Sequence, residues 1–205
     1  MKTELCIAKG VTAIIGSGGK TSLLARLCQE LPGTVILCTS TRIFPFEALP
    51  LVTEPLETLP YDKLCVGTYA EHGKLAAPVQ SFEELSKLSD YVLVEADGSR
   101  GLPFKAHLDH EPVIPPCAVQ TIQVVGTWAL GKPISEVVHR PERFAELAGA
   151  SMDDPVTPEL AAKVINAEAL CDRVLLNGPD NAETRRLAEL LDVPAIISNV
   201  TGAPV

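Results

Sequence analysis

The stretch from Ile14 to Leu24 limits most strongly what this chain can fold into. An apolar run, Val11 to Ile15, predicts a buried strand, and three glycines and a serine follow it. Lys20 and Thr21 come next and open a run of leucines at helical spacing. A strand, a glycine-rich loop and a helix in this order form the context of a phosphate-binding loop.

Each residue type in this loop suits a phosphate ligand. Glycines let successive backbone N–H groups point at one anion, and the helix start adds its own free N–H groups. Lys20 can reach the β- and γ-phosphates of a nucleotide, and the Thr21 hydroxyl can ligate Mg²⁺. The bland alternative is a glycine-rich turn with a solvated Lys20, which the Gly-Lys-Thr order after a strand disfavours. The predicted nucleotide-binding residues are Gly16, Ser17, Gly18, Gly19, Lys20, Thr21 and Ser22.

The loop departs from the usual pattern, which has a glycine where this chain has Ile14. The shorter form, Gly16-x-x-Gly19-Lys20-Thr21, resembles the loop of the Mur-type peptidoglycan ligases more than that of Ras-like GTPases. Amide ligation by that analogy is disfavoured, because such ligases use extra domains. A nicotinamide-binding Rossmann protein is disfavoured too, because the G-x-G-x-x-G pattern is missing.

Composition narrows the class of protein further. The chain has 205 residues, with 17 Lys and Arg against 26 Asp and Glu, so its net charge is −9. Such an acidic chain has no general attraction for nucleic acid or an anionic membrane. The apolar runs are too short to cross a bilayer and the start does not resemble a signal peptide, so we expect a cytoplasmic protein. The six cysteines form no C-x-x-C pair, and neither disulfides nor a cysteine metal site are expected.

Short apolar runs alternate with helical patterns along the whole chain. This alternation predicts an α/β fold of three layers, like a P-loop NTPase, with a mainly parallel sheet in one domain over 1–205. Irregular segments are expected at 44–60 and 98–117, where prolines are frequent. Predicted strands cover 11–15, 34–38, 63–66, 91–94, 119–125, 173–177 and 194–198. Predicted helices cover 20–31, a segment opening at Ser81, 140–147, a segment opening at Thr157, and 182–191.

Two carboxylates follow the third strongly apolar strand. Glu95 and Asp97 lie at its end, and Arg100 follows. In a nucleotide-hydrolysing site, such a carboxylate holds Mg²⁺ or orients a water, and an arginine neutralises developing charge. The predicted catalytic residues are therefore Lys20, Glu95, Asp97 and Arg100, and the predicted metal residues are Thr21, Glu95 and Asp97. The alternative is that Asp97 only shapes a turn with Gly98.

Polar residues in two later segments are candidates for substrate binding. They are Lys105, His110, Glu111, His139 and Arg140. Cations are disfavoured at a helix start, so His139 and Arg140 before Pro141 indicate an anion partner. A metal site at His107, Asp109 and His110 is a weak alternative. The other alternative is a solvated loop without a binding role.

The segment after the strand at 173–177 has one weak motif. Asn177 and Asp180 resemble the N-K-x-D motif with which GTPases read guanine, but Gly178 replaces its lysine. Base reading and helix capping by Asp180 or Asn181 stay open. Similarly, Thr39 to Thr41 either face the nucleotide or cap local turns.

Taken in order, the motifs resemble those of the YqeC family. The stretches that carry the resemblance are Ile15 to Ser22, Val94 to Pro103, Lys105, His110 to Pro115, His139 to Glu142, and Leu176-Asn177. The resemblance implies a role in selenium cofactor biosynthesis, with a molybdenum hydroxylase or another cofactor-maturation protein as partner. Together with the loop, it predicts hydrolysis of ATP or GTP, or phosphoryl transfer from it, with Mg²⁺. The alternative is a nucleotide-switched accessory protein that delivers a cofactor to an apo-enzyme.

Overall fold

An eight-stranded parallel sheet forms the centre of the structure. The structure is a computed structural model, and it describes residues 1–200 except for the side chain of Lys2. The strands are β1 (Gly10–Gly16), β2 (Val35–Thr39), β3 (Leu51–Val52), β4 (Lys63–Val66), β5 (Thr68–Tyr69), β6 (Leu75–Ala76), β7 (Tyr91–Glu95), β8 (Phe104–Lys105), β9 (Ala118–Gly126), β10 (Val138–His139), β11 (Arg173–Asn177) and β12 (Ala195–Ser198). The helices are α1 (Lys2–Leu5), α2 (Lys20–Glu30), α3 (Phe82–Leu88), α4 (Ile134–Val137), α5 (Pro141–Ala148), α6 (Pro158–Glu168) and α7 (Ala182–Leu190).

The strand order places β1 near the middle of the sheet. The order is β12-β11-β9-β1-β7-β2-β4-β3, and every neighbouring pair is parallel. In register, Ile14 of β1 lies opposite Glu95 of β7. Because the strands run the same way, the carboxyl ends of β1, β7, β9 and β11 meet at one edge.

Helices cover both faces of the sheet. On β7, Leu93 packs with the α2 side chains, whereas Val92 and Val94 pack with Leu85 of α3 on the other face. The helices α5, α6 and α7 pack on the same face as α3, against alternate residues of β9 and β11. This arrangement confirms the predicted three-layer α/β fold with a parallel sheet. No helix within residues 1–200 has the length and apolar content needed to cross a membrane.

The predicted strands and helices agree with the structure to within about two residues at their ends. Ser81 and Glu84 form the expected capping box of α3, and Gly149 ends α5. The predictions missed the short elements. The edge strand β3 lies inside 44–60, and β8 lies inside 98–117, where it pairs in parallel with β10. A strand of two residues has no hydrophobic period, and β3 and β8 form only because a segment further along the chain supplies the partner.

Candidate functional site

The loop between β1 and α2 has a backbone that requires glycine. Gly16, Gly18 and Gly19 have φ angles of +85°, +78° and +126°. A Cβ atom on Gly16 would lie 2.3 Å from the Val124 carbonyl oxygen. Gly19 is the N-cap of α2, and no side chain of the described residues caps this helix start. The first N–H groups of α2 are therefore available to an anion.

Two buried polar side chains, one of them in the loop itself, connect the loop to neighbouring segments. The Asn177 amide donates its Nδ2 hydrogen to the Gly18 carbonyl oxygen at 2.8 Å. Its Oδ1 atom accepts a hydrogen bond from the Val200 N–H at 2.9 Å. The Ser17 hydroxyl donates to the Leu102 carbonyl oxygen. Asn177 and Ser17 are both buried, so in this structure they support the loop from behind.

A cleft with a volume of about 710 Å³ opens in front of the loop. This volume is in the range of pockets that hold small ligands. The loop, the ends of β2 and β7, and the segment around β10 all contribute to its wall. The lining residues are Gly18, Gly19, Lys20, Thr21, Ser22, Arg42, Ile43, Phe44, Pro45, Lys74, Glu95, Gly98, Ser99, Arg100, Gly101, Glu111, Trp128, His139 and Arg140.

Lys20 folds back against the loop that carries it. Its Nζ atom donates to the Gly16 carbonyl oxygen at 2.7 Å and lies 3.1 Å from Asp97 Oδ1. Glu95 Oε1 is 3.9 Å away from the same Nζ atom. These oxygen atoms thus hold the ammonium group at the floor of the cleft. A phosphate oxygen bound in the cleft could replace them as its partner.

Thr21 and Glu95 together suit a magnesium ion. The Thr21 hydroxyl donates towards Glu95 Oε2 over 3.5 Å, and both residues line the cleft. Burial raises the pKa of Glu95, and Lys20 lowers it only in part. Within residues 1–200 no three His, Cys, Asp or Glu side chains cluster as a metal site. Mg²⁺ needs no such cluster, because it commonly binds one or two protein oxygens with waters and substrate phosphates.

Asp97 lies below the cleft, where its carboxylate contacts a backbone N–H group, a histidine and two lysines. Its Oδ2 atom accepts hydrogen bonds from the Gly16 N–H at 2.9 Å and from His107 Nε2 at 2.8 Å. Lys105 Nζ lies 3.4 Å from the same oxygen. Burial raises the pKa of Asp97, but the His107 hydrogen bond and the two lysines outweigh it and bring the pKa to about 2. We call Lys20, Asp97, Lys105 and His107 the Asp97 cluster.

The Asp97 cluster extends in two directions. His107 also contacts Glu168 of α6, with Nδ1 and Oε2 2.8 Å apart. On the other side, Lys105 Nζ donates to Glu111 Oε2 at 2.7 Å, and Arg140 Nε donates to Glu111 Oε1 at 3.0 Å. A continuous series of opposite charges therefore leads from the glycine-rich loop to Arg140.

The structure gathers some of the predicted substrate residues and separates others. Glu111, His139 and Arg140 line the cleft, whereas Lys105 is buried beneath it. His110 is exposed and does not line the cleft. His107 is buried between two carboxylates, away from any cluster with Asp109 and His110.

The two residues predicted to read a base do not reach the cleft. Asp180 is exposed and pairs with Arg185, with Oδ1 and Nε 2.6 Å apart. Asn181 caps α7 by accepting a hydrogen bond from the Thr184 N–H. Asn177 contacts the backbone of the glycine-rich loop instead of the cleft. In this segment the structure thus shows the helix cap that was one of the two alternatives, with Asn181 as the capping residue.

Several further residues line the cleft that the sequence alone did not single out, among them Arg42, Phe44, Lys74 and Trp128. Arg42 ends the polar segment after β2, and that position at a strand end was the available signal. Trp128 is the second residue after β9 and is 48 % exposed. The Lys74 ammonium lies over the Phe44 ring, 5.2 Å from the ring centre. Nothing in the sequence around these two residues indicates that they contact each other.

A comparison with protein families places this chain. The family profile described as "YqeC protein" matches residues 12–142, well over half of the chain. The chain belongs to the YqeC family. The matched range contains every residue that lines the cleft, whereas Asn177 and Asp180 lie outside it.

A curated relative supports the assignment to the YqeC family. The chain is 38% identical over 164 residues to the Escherichia coli (strain K12) protein named "Uncharacterized protein YqeC". The match covers 70% of this chain and 62% of that protein, so the chain spans less than two thirds of its relative's length. No solved structure matches the chain at a significant level.

Proposed function

We propose that this protein binds ATP or GTP with Mg²⁺ in the cleft and hydrolyses the nucleotide or transfers its terminal phosphoryl group. The observation that carries the proposal is the position of Lys20, Thr21 and Glu95. All three line one cleft beside the unused N–H groups of α2, and Thr21 lies 3.5 Å from Glu95. The proposed phosphate and magnesium ligands thus come from the loop and helix that follow β1 and from the end of the adjacent strand, β7.

In this proposal each residue has a distinct part. The loop N–H groups and Lys20 bind the phosphates, while Thr21 and Glu95 would hold Mg²⁺. The ion, when bound, neutralises charge on the phosphate oxygens. Arg100 neutralises the charge that develops in the transition state. Asp97 holds Lys20 and the Gly16 N–H in place, so we assign it to positioning.

The family resemblance supports a cellular role for this reaction. We propose that it serves the formation or insertion of a selenium cofactor of molybdenum hydroxylases, in the cytoplasm. The protein partner would be the hydroxylase or another maturation protein. Selenium content and activity of such a hydroxylase, co-produced with this chain or with its Lys20→Ala variant, test the role. Equal values for both chains would reject it.

The first test is nucleotide binding by Lys20→Ala. The variant removes the charge-assisted contact to the phosphates, so we expect ATP and GTP to bind at least tenfold more weakly. Calorimetric titration with Mg²⁺ measures both affinities. Lys87→Ala is the matched control, because Lys87 is 68% exposed on α3 and pairs only with Glu83 among the described residues. Unchanged affinity in Lys20→Ala would refute the phosphate-loop assignment.

A nucleotide-controlled accessory protein is the second candidate. It is favoured by the exposed Phe44 and Trp128 on the rim of the cleft, where a partner could contact both aromatic rings and a bound nucleotide. Phosphate release by the isolated chain distinguishes the two functions. Steady turnover without a partner supports the enzyme, whereas turnover only with the partner supports the switch.

A further inference from the structure

The cleft carries more positive charge than its surroundings. Its lining contains Lys20, Arg42, Lys74, Arg100 and Arg140, against two glutamates. The chain as a whole has a net charge of −9. In the proposed function, Lys20, Mg²⁺ and the loop N–H groups already neutralise much of a triphosphate, and Arg100 acts on the charge of the transition state. The other cations, Arg42, Lys74 and Arg140, are thus available to a second anionic group in the same cleft.

Two of these arginines have no acidic partner in the described part of the chain. Neither Arg42 nor Arg100 takes part in an ion pair there, although exposed arginines elsewhere, such as Arg185 and Arg186, do. Arg100 and Arg140 also have left-handed backbones, with φ angles of +52° and +69°. That conformation is unfavourable for a non-glycine residue and occurs often at ligand sites.

His139 supplies an independent sign of a ligand. The residue lines the cleft and is only 8 % exposed, and the Nδ1 atom of its side chain is buried without a hydrogen-bond partner among the described residues. Burial lowers the pKa of His139, and the positive charges of Lys105, Arg140 and Arg100 lower it further, opposed by Glu111. The imidazole is therefore neutral near pH 7, and a buried polar group of this kind costs free energy until a partner reaches it.

The backbone around His139 is held firmly. Its strand, β10, pairs with β8 so that His139 lies opposite Lys105 in register. Lys105 in turn contacts Asp97 and Glu111. The position of His139 is thus linked through the Asp97 cluster to the glycine-rich loop.

We propose that His139 and Arg140 form a subsite for a second substrate, a small molecule that carries a phosphate or carboxylate group, and that Arg100 is shared between this subsite and the reacting phosphoryl group. The subsite rests on the proposed function, since it lies in the cleft assigned to the nucleotide. The arginines bind the oxyanion, and His139 completes its hydrogen bonds with the same ligand. Next to a bound nucleotide, such a molecule is the acceptor or the activated partner of the reaction.

The experiment separates this subsite from the nucleotide site. The full chain is first titrated with Mg²⁺ and a non-hydrolysable ATP or GTP analogue, and the saturated protein is then titrated with inorganic phosphate or with citrate. We expect at least one probe to bind the loaded protein. Binding of phosphate alone indicates a phosphorylated substrate, and binding of citrate alone indicates a carboxylated one.

Two variants identify the residues. We expect His139→Asn and Arg140→Gln each to weaken probe binding to the loaded protein at least tenfold, with Lys87→Ala as the unchanged control. The melting temperature checks that each variant is folded.

Three results would overturn the subsite. Absence of probe binding to wild-type protein that binds the analogue rejects the subsite and leaves the proposed function standing. Equal probe binding by wild type and by a folded variant places the anion elsewhere. Absence of analogue binding in the first titration rejects the nucleotide function, and the subsite falls with it.

Discussion

At the scale of single residues, Glu95 and Asp97 have different tasks although they are two positions apart. Glu95 lines the cleft and faces Thr21, whereas Asp97 is buried below it and contacts Lys20, Lys105 and His107. The difference arises because β7 ends at Glu95, so the alternation of a strand no longer applies to the next residues. Only the three-dimensional structure separates the two carboxylates.

We predict that Glu95→Gln retains nucleotide binding and loses turnover. The amide keeps the shape of the side chain but removes the charge that would hold Mg²⁺, whose effect is strongest in the transition state. Loss of one such stabilising group costs about a hundred- to a thousandfold in rate. Phosphate release and calorimetric affinity at saturating Mg²⁺ measure the two effects. Glu83→Gln on exposed α3 is the control, and turnover equal to wild type in Glu95→Gln would move the metal site elsewhere.

The His107 hydrogen bonds predict a dependence of stability on pH. Burial lowers the pKa of His107, but its bonds to Asp97 and Glu168 raise it by more, so the folded pKa lies above 6.5. The charged imidazolium thus stabilises the fold fully below pH 6.5, and this contribution is lost as the pH rises through the raised folded pKa.

The measurement is the free energy of unfolding of wild type and His107→Gln between pH 5 and 9. We expect the advantage of the wild type to be largest at the acidic end and to decline as the pH rises. An advantage that grows with pH would mean that His107 is neutral in the folded protein. His72→Gln, in an exposed turn, serves as the control.

At the scale of elements, the turn from β1 into α2 depends on backbone geometry that only glycine provides. Gly19, the N-cap of α2, has a φ angle of +126°, and a Cβ atom there would lie 2.3 Å from Asn177 Nδ2. The strand, the turn and β11 therefore fit together only without a side chain at this position.

We predict that Gly19→Ala destabilises the protein more than Gly131→Ala. Both positions have positive φ angles, but a Cβ atom on Gly131 meets nothing within 4 Å, so the control has backbone strain without the clash. We expect an added cost of about 1–3 kcal/mol from the displaced contact, together with weaker nucleotide binding. Chemical denaturation measures it. Equal destabilisation of both variants would show that Asn177 moves aside freely.

Elements of strong local pattern were predictable from the sequence, and elements defined by their partners were not. The apolar run of β11 and the Thr157 cap of α6 identify these elements directly. In contrast, the pairing of β8 with β10 joins residues more than thirty positions apart and has no local signal. For the same reason, the sequence indicated the glycine-rich loop and Glu95, but not the central place of Asp97 or the contribution of Trp128 to the cleft.

At the scale of the whole molecule, the overall charge and the charge of the cleft are opposite. The protein carries −9, while five cations and two glutamates line the cleft. At 0.1 M salt the Debye length is about 10 Å, so the distant acidic surface is screened while charges inside the cleft still act on a ligand.

This contrast predicts how salt changes the association rate of a nucleotide. At about 0.01 M salt the screening length is about 30 Å, so the acidic surface repels the anionic ligand over a long range. We expect the association rate to rise between about 0.01 and 0.1 M salt. Stopped-flow fluorescence of Trp128, the single tryptophan of the chain, measures the rate. An association rate that falls steadily as salt increases from about 0.01 M would show that attraction by the positive cleft exceeds repulsion by the acidic surface at every distance.

The hydrogen bonds of Asn177 have a consequence for how the protein can be cut or fused. One side-chain amide joins the Gly18 carbonyl to the Val200 N–H, so the segment after the last strand bears on a loop near the opposite end of the sequence. A fragment limited to residues 12–142 would keep all the cleft-lining residues but lose this brace and two neighbouring strands. A fragment cut at residues 12 and 142 would therefore contain the cleft-lining residues without the hydrogen bonds and strands that hold the glycine-rich loop in place.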